Sequence, residues 1–539
     1  MKYILFTFRY MFDKLKIYFL RIFSFDYRSL AFFRILVWFI VMYDVVLGIR
    51  FLEVFHTDLG LMSLDILMTN YPDENIRAFH SISNNYWYQL ILFCIHFVVA
   101  VFFTLWKRTK EMTVILWLFT CSMLWHNPQI INWADIVVKM LLFWSMFLPL
   151  WARWSFDFVE NRAKDKNDLD SHRSNYLTTS NVCSRWTVAL VMQLSVIYIV
   201  TAILKSDPIR TTEYTATYYA LSLDTFVKPI WSWLYQFPDI MKGMTRASIN
   251  LELYGMFLLL VPRHNKVWRL IAITIFIMFH FGLFLTMRLE TFPWIMIAAR
   301  LSLLPSVFRN KIWDKVESFL FRITFASRLY KYFENPLKLN NKAIEVKNDS
   351  NEFTNTYLVD NFVVYVQKYR WYITVFLVLC IWYVLAWNIR TTDFDRHDDW
   401  FPREVNRFGF LFRLDQYRNM FSPYPFVDDG RTVVKWVLKD WTDVNLLDHN
   451  KEVSFDKPKF GGTIYEHEKR RKVFTNLWMK SNSEYRQPMA NYFCRKRNES
   501  HSDEEQVETV QWYYVLEKTL ADYKTAPLEE VLLYDWDCR

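Results

Sequence analysis

Lys205 closes an apolar run that opens just after Arg185 and Trp186, and Asp207 follows two residues on. At about 1.5 Å per helical residue, the stretch from Arg185 to Lys205 spans about 30 Å, roughly one hydrocarbon core. An amine at the end of a membrane helix has two uses. It snorkels to the interface, or it sits partly desolvated in a polar site and acts as a base.

Five more ionisable side chains lie between the midplane and the outer boundary of apolar segments, with Arg34 and Arg300 in the inner half, and their depth bears on the choice. Measured along each helix from its basic end, Asp44 lies about 24 Å in, Lys139 about 21 Å and Asp135 about 27 Å. Glu252 and His280 each lie about 16 Å in, and Lys205 about 30 Å. Asp135 and Lys139 are four apart on one helical face and can pair with each other as a structural clip. His280 alone has the ordinary reading of a satisfied core histidine, and Asp44 and Glu252 that of interfacial acids. Their common level points instead to one outward-facing polar chamber. The loop His126-Asn127-Pro128-Gln129 and the turn Arg288-Leu289-Glu290 would roof it.

The elements that must position these groups are membrane helices. The chain has 539 residues, 53% hydrophobic and 19% aromatic, with only 9 Gly. That is too many residues for one core and too apolar in blocks for a soluble protein. The formal charge of +9 lies in the loops between apolar runs, where it sets orientation, so no nucleic-acid partner is expected. Six Cys show no metal-ligand spacing, and no metal is expected.

The fold class is a polytopic α-helical membrane protein of about nine spans with a C-terminal β-rich extracytoplasmic domain. The spans run near Ser29–Ile49, Tyr86–Trp106, Met112–Trp125, Trp133–Trp151 and Trp186–Lys205, then Ser248–Pro262, Val267–Met287, Phe292–Ser306 and Trp371–Trp387. Residues 1–28 form a basic amphipathic arm on the inner surface, without a cleavable signal. The membrane domain occupies 29–307, a basic cytoplasmic loop 308–370, the last span 371–388 and the outer domain 389–539. Alternate loops rich in Lys and Arg place the N-terminus in the cytoplasm and the C-terminus outside, across a bacterial inner membrane or an endoplasmic reticulum. The loops Asn161–Asn181 and Asn340–Asn355 are polar and expected to be flexible. Glu213–Phe237 is aromatic and amphipathic, suited to helices lying in the outer interface. In the outer domain, Thr432–Leu438 and Tyr513–Leu516 alternate as strands, with turns at Asp428-Asp429-Gly430 and Gly461-Gly462. Its two cysteines, Cys494 and Cys538, lie in a compartment that permits a bridge.

The ordered set of Ser29-Leu30-Ala31-Phe32-Phe33-Arg34-Ile35, Asn127-Pro128 with Asn132 and Asp135, and Phe143-Trp144 through Leu148-Pro149 resembles the HTTM (horizontally transferred transmembrane) domain family. Arg153-Trp154-Ser155-Phe156-Asp157, Tyr218-Tyr219-Ala220-Leu221 and Phe279-His280-Phe281-Gly282 continue the likeness, followed by Phe292-Pro293-Trp294 and the block Leu414-Asp415-Gln416-Tyr417. The resemblance covers roughly Phe25 to Val307 and much of Phe408 to Cys538. That domain is shared with vitamin K-dependent γ-glutamyl carboxylase, and the resemblance implies a quinone cofactor such as vitamin K hydroquinone. It puts Lys205, within Thr201-Ala202-Ile203-Leu204-Lys205, at the carboxylase's base. His280 is then a second catalytic candidate, and Asn127, Asp135, Lys139 and Glu252 are candidates for holding the cofactor. Lys139 and His280 would lower the lysine pKa, whereas Asp135 or Glu252 would oppose. The likeness departs at Pro128, where the carboxylase has a histidine.

Three functions follow. The first is a membrane enzyme using Lys205 on a quinone- or lipid-like cofactor to modify an exported peptide or protein. The second is a non-catalytic chaperone or immunity-like factor for a secreted partner. The third is a transporter, which would favour repeats and spans broken by Gly or Pro.

Overall fold

The computed structural model describes residues 2–61, 63–70, 78–105, 108–155, 157, 181–305, 356–359, 362–366, 370–390, 402–416, 422, 424–447, 452–458, 461–521 and 524–539. The expected flexible loops at 161–181 and 340–355 lie outside these residues but for Asn181, as does most of the basic loop 308–370.

The fold is mostly helical, with a C-terminal β-sheet region. The longer helices are α1 (Lys2–Phe23), α2 (Tyr27–Arg50), α3 (Tyr86–Leu105), α4 (Thr109–His126), α5 (Trp133–Ser145), α6 (Arg185–Leu204) and α7 (Pro238–Tyr254). They continue as α8 (Asn265–Thr286), α9 (Phe292–Leu301), α10 (Trp371–Arg390), α11 (Arg403–Phe412), α12 (Glu468–Trp478) and α13 (Arg486–Asn498). Five of them, α2, α3, α6, α8 and α10, are long and apolar enough to cross a membrane. Starts are set by caps. Asp26 accepts from the Arg28 amide at 2.7 Å before α2, and capping boxes open α5 (Asn132 with Asp135) and α6 (Ser184 with Thr187).

One expected span is displaced. The run Ser248–Pro262 straddles the end of α7, which begins ten residues earlier at Pro238, and a 3₁₀ turn at Gly255–Leu260. Proline at the first helical position has no amide to satisfy, so the helix starts there despite its polar composition.

The chain from Arg403 to Leu414, expected in the extracytoplasmic domain, packs among the helices. Phe412 packs on Phe143 of α5 and Phe376 of α10, and Leu414 is fully buried in the same apolar core. Gly409 permits this, because a Cβ there would fall 1.8 Å from the Tyr383 ring of α10. Residues 403–414 therefore pack with the helices rather than with the β-sheet region that follows.

Two sheets flank the helices. β1 (Ser24–Asp26), β2 (Asn181–Cys183), β3 (Thr356–Val359) and β4 (Phe362–Val366) form a four-stranded sheet in the order β1-β2-β4-β3. In the C-terminal region β5 (Asp428–Leu438) pairs antiparallel with β6 (Asp443–Asn445) and β7 (Val507–Leu520), with Val433 opposite Tyr513. Asp428-Asp429-Gly430 opens β5 rather than making a turn, because these residues pair with Lys518, Glu517 and Leu516. β7 also pairs with β8 (Lys524–Thr525) and β9 (Glu529–Asp537), and Cys494 is bridged to Cys538. The core under this sheet includes Phe55, Leu67 and Ile130 from the segments between the longer helices, so the C-terminal region and those segments form one packed unit.

Candidate active site

A cavity of about 540 Å³ lies between α6, α7, α8 and α9. Its walls are mainly apolar, with Ile197, Leu251, Met278, Phe292 and Met296 among them. Lys205, Glu252 and His280 all face it. On one side it opens between Met244 of α7 and Met278 of α8, which are both exposed, and a Cβ on Gly282 would meet open space.

Lys205 is the C-cap of α6, and its ammonium meets both carboxylate oxygens of Glu252 at 2.8 and 3.0 Å. The pair is largely out of solvent, at 18% and 8% side-chain exposure. Beside it, Asp207 meets Arg210 at 3.4 Å, and Arg210 also lines the cavity. His280 is engaged at both nitrogens: Nδ1 donates to the Phe276 carbonyl at 2.8 Å, so Nε2 accepts from the Tyr198 hydroxyl at 3.3 Å. With its proton committed to a helix carbonyl, His280 orients Tyr198 and is not a free base. Arg300 stacks its guanidinium over the rings of Tyr198 and Phe276, 4.3 and 4.4 Å from their centroids.

The remaining predicted site residues lie elsewhere. Lys139 pairs with Asp415, just after α11, at 2.7 Å, not with Asp135. Asp135 instead accepts from the Asn132 amide at 2.8 Å. Asn127 donates to the Phe55 carbonyl at 2.8 Å and caps the turn at Gln129. The single polar chamber is thus replaced by separate groups, because each charge found a nearer partner than a shared cavity.

The partners missed by sequence come from the C-terminal third. Lys469 of α12 is buried and reaches Asp44 at 3.6 Å. Burial alone would lower its pKa, but the charges of Asp44, Asp135 and Glu290 outweigh that and raise it. Glu290 is pushed up to about 7, first by burial. Lys469 stands in the run Glu468-Lys469-Arg470-Arg471-Lys472, and nothing in that run marks which cation turns inward. Asn476 of the same helix holds Gln129 by its carbonyl and side chain, both at 3.0 Å. So α12 does sit over the His126–Asn132 loop.

Chemically, the cavity offers an apolar volume with an ammonium and a carboxylate at one wall. Such a pair can hold a hydroxylated apolar molecule, take its proton at Glu252 and balance the resulting charge at Lys205. No protein-family model, curated protein or solved structure matches the chain.

Proposed function

We propose that this chain is a nine-span membrane protein with its N-terminus in the cytoplasm, and an HTTM-type, carboxylase-like enzyme. In this reading the cavity admits a quinol- or lipid-like cofactor from the bilayer, and an exported peptide or protein is the substrate. The observation that carries it is the Lys205–Glu252 pair on the wall of a large apolar cavity that opens sideways. The cavity fits a quinol by chemistry: apolar walls for the ring and a charged pair for the hydroxyl. Ile197, Phe292 and Met296 would hold the ring, and Lys205 and Glu252 the hydroxyl. When bound, a quinol supplies an ionisable hydroxyl and a reducing ring. Glu252 accepts the hydroxyl proton, and Lys205 keeps its own and stabilises the oxyanion. This moves the base from Lys205 to its partner, since the Lys205 ammonium is clasped by both Glu252 oxygens and the carboxylate is the group that can accept a proton.

A second reading, the non-catalytic chaperone or immunity-like factor, rests on the same contact taken as a structural clip. Menadiol, added anaerobically to the full-length protein in detergent, separates the two. The enzyme reading expects the bound hydroxyl to ionise about one pH unit or more below its value in water, and Lys205→Met to abolish that change. Identical ionisation of bound menadiol in wild type and Lys205→Met would leave the clip as the sole role.

A further inference from the structure

Above the cavity, a cleft of about 180 Å³ lies between the Phe284–Glu290 turn and the Gly462–Arg471 segment. Two cations line it without an acid of their own. Lys228 donates to the Phe284 carbonyl and stands 4.1 Å from the centroid of that ring. Arg288 donates its backbone amide to the Phe226 carbonyl at 2.6 Å, but its guanidinium makes no hydrogen bond or ion pair among the described residues. Its Nε is buried against Gly462, where a Cβ would come within 2.8 Å of it.

The other charges of the cleft are cancelled. Arg471 is taken by Glu468, at 2.9 Å from Nε, and Glu466 by Arg470 at 3.0 Å. Glu290 receives the Glu468 amide and is pushed up to about 7, and the Lys469 charge offsets the part that is ionised near neutrality. His467 is pushed down to about 4, first by burial, and is neutral. Two positive charges remain, close enough that Arg288 adds to burial in lowering the Lys228 pKa.

The cleft adjoins the cavity. Met287 lines both, and the Lys228 amide binds the carbonyl of Thr286, a cavity residue, at 2.9 Å. We propose that Lys228 and Arg288 bind the phosphate group of a membrane amphiphile whose hydrocarbon chain lies in the apolar cavity. A guanidinium fork beside an ammonium suits phosphate oxygens, and two uncompensated cations match a monoester's charge of about −1.5 to −2. The lateral opening gives the chain its path, and a soluble anion would have no use for the apolar volume below.

The inference rests on the cavity being an apolar binding site, and the test separates the two claims. Full-length protein in maltoside micelles is titrated with decyl phosphate, decanol and inorganic phosphate. Decyl phosphate is expected to bind about tenfold or more tighter than either alternative. Lys228→Gln and Arg288→Gln should each lose about tenfold for decyl phosphate and leave decanol unchanged. Arg288→Lys, which keeps the charge and loses the fork, should fall between and guards against a misfolded glutamine variant. Failure of decanol to bind wild type would remove the cavity reading and this inference with it. Decanol binding as tightly as decyl phosphate, or variants without effect, would overturn the head-group site alone. Inorganic phosphate matching decyl phosphate would make this a free-anion site and overturn the amphiphile.

Discussion

The ammonium groups of Lys139, Lys205 and Lys469 each face a carboxylate from a distant segment: Asp415, Glu252 and Asp44. Asp429 shows the opposite case, an acid buried with another acid nearby. One of its oxygens accepts from the Asp224 amide at 2.6 Å, and the other faces the Thr225 hydroxyl at 3.3 Å. Lys457 is spent on Asp224 and Glu517, at 2.6 and 2.7 Å. Burial first, and then the Asp224 charge, push the Asp429 pKa from 3.8 to about 7. The sign follows from linkage. The folded state binds the proton more tightly than the unfolded chain, so the stabilisation is complete below about pH 4 and is lost as pH rises through about 7. Asp429→Asn should therefore flatten the decline. Thermal unfolding of the full chain at pH 5 and pH 8 checks it: relative to wild type, the variant gains about 2–4 kcal/mol at the higher pH. Equal gains at both pH values would refute the assignment.

Among elements, α11 and the residues just after it are what the long apolar helices close upon. Asp415 reaches Lys139 of α5, and Gln416 exchanges amide hydrogen bonds with Gln193 of α6 at 3.2 and 3.3 Å. Trp387 of α10 donates to the Gln416 carbonyl at 2.8 Å. A buried ion pair is weak evidence of stability, yet removing one partner strands the other charge. Lys139→Met or Asp415→Leu alone should cost about 3–5 kcal/mol, and the double variant much less than their sum. Chemical unfolding in mixed micelles measures this, and strict additivity would show that the two side chains act independently.

At the scale of the whole molecule, the C-terminal sheet, α12 and α13 rest on the loops between helices. Arg495 and Lys496 of α13 reach Glu53 at 3.2 and 2.5 Å, beside the end of α2. The Cys494–Cys538 bridge ties α13 to the segment that follows β9, and bridges persist in oxidising compartments. The bridge is in keeping with the outer location proposed for this region. In a Cys94→Ser background, Ser481→Cys lies on an exposed surface and should react fully with an impermeant maleimide added from outside. Its protection in intact cells would reverse the proposed orientation.

The long apolar helices, their basic flanks and the change of character after the last of them were legible in the sequence, because hydropathy and period act locally. The apolar runs at Tyr86, Trp186, Val267 and Trp371 became α3, α6, α8 and α10 within a few residues. Depth along a helix gave a common level for six groups, but the structure brings only Lys205, Glu252 and His280 to one cavity, and its walls are mainly apolar. Which charge meets which was not legible. Helical spacing put Asp135 beside Lys139, but Asp415 arrives from 276 positions away and takes the lysine at 2.7 Å. The same holds for Lys469, one cation in a run of four, whose inward turn depends on how α12 lies across Asp44 and Asp135. Pairing between distant segments is decided by packing, and packing is a property of the folded chain alone.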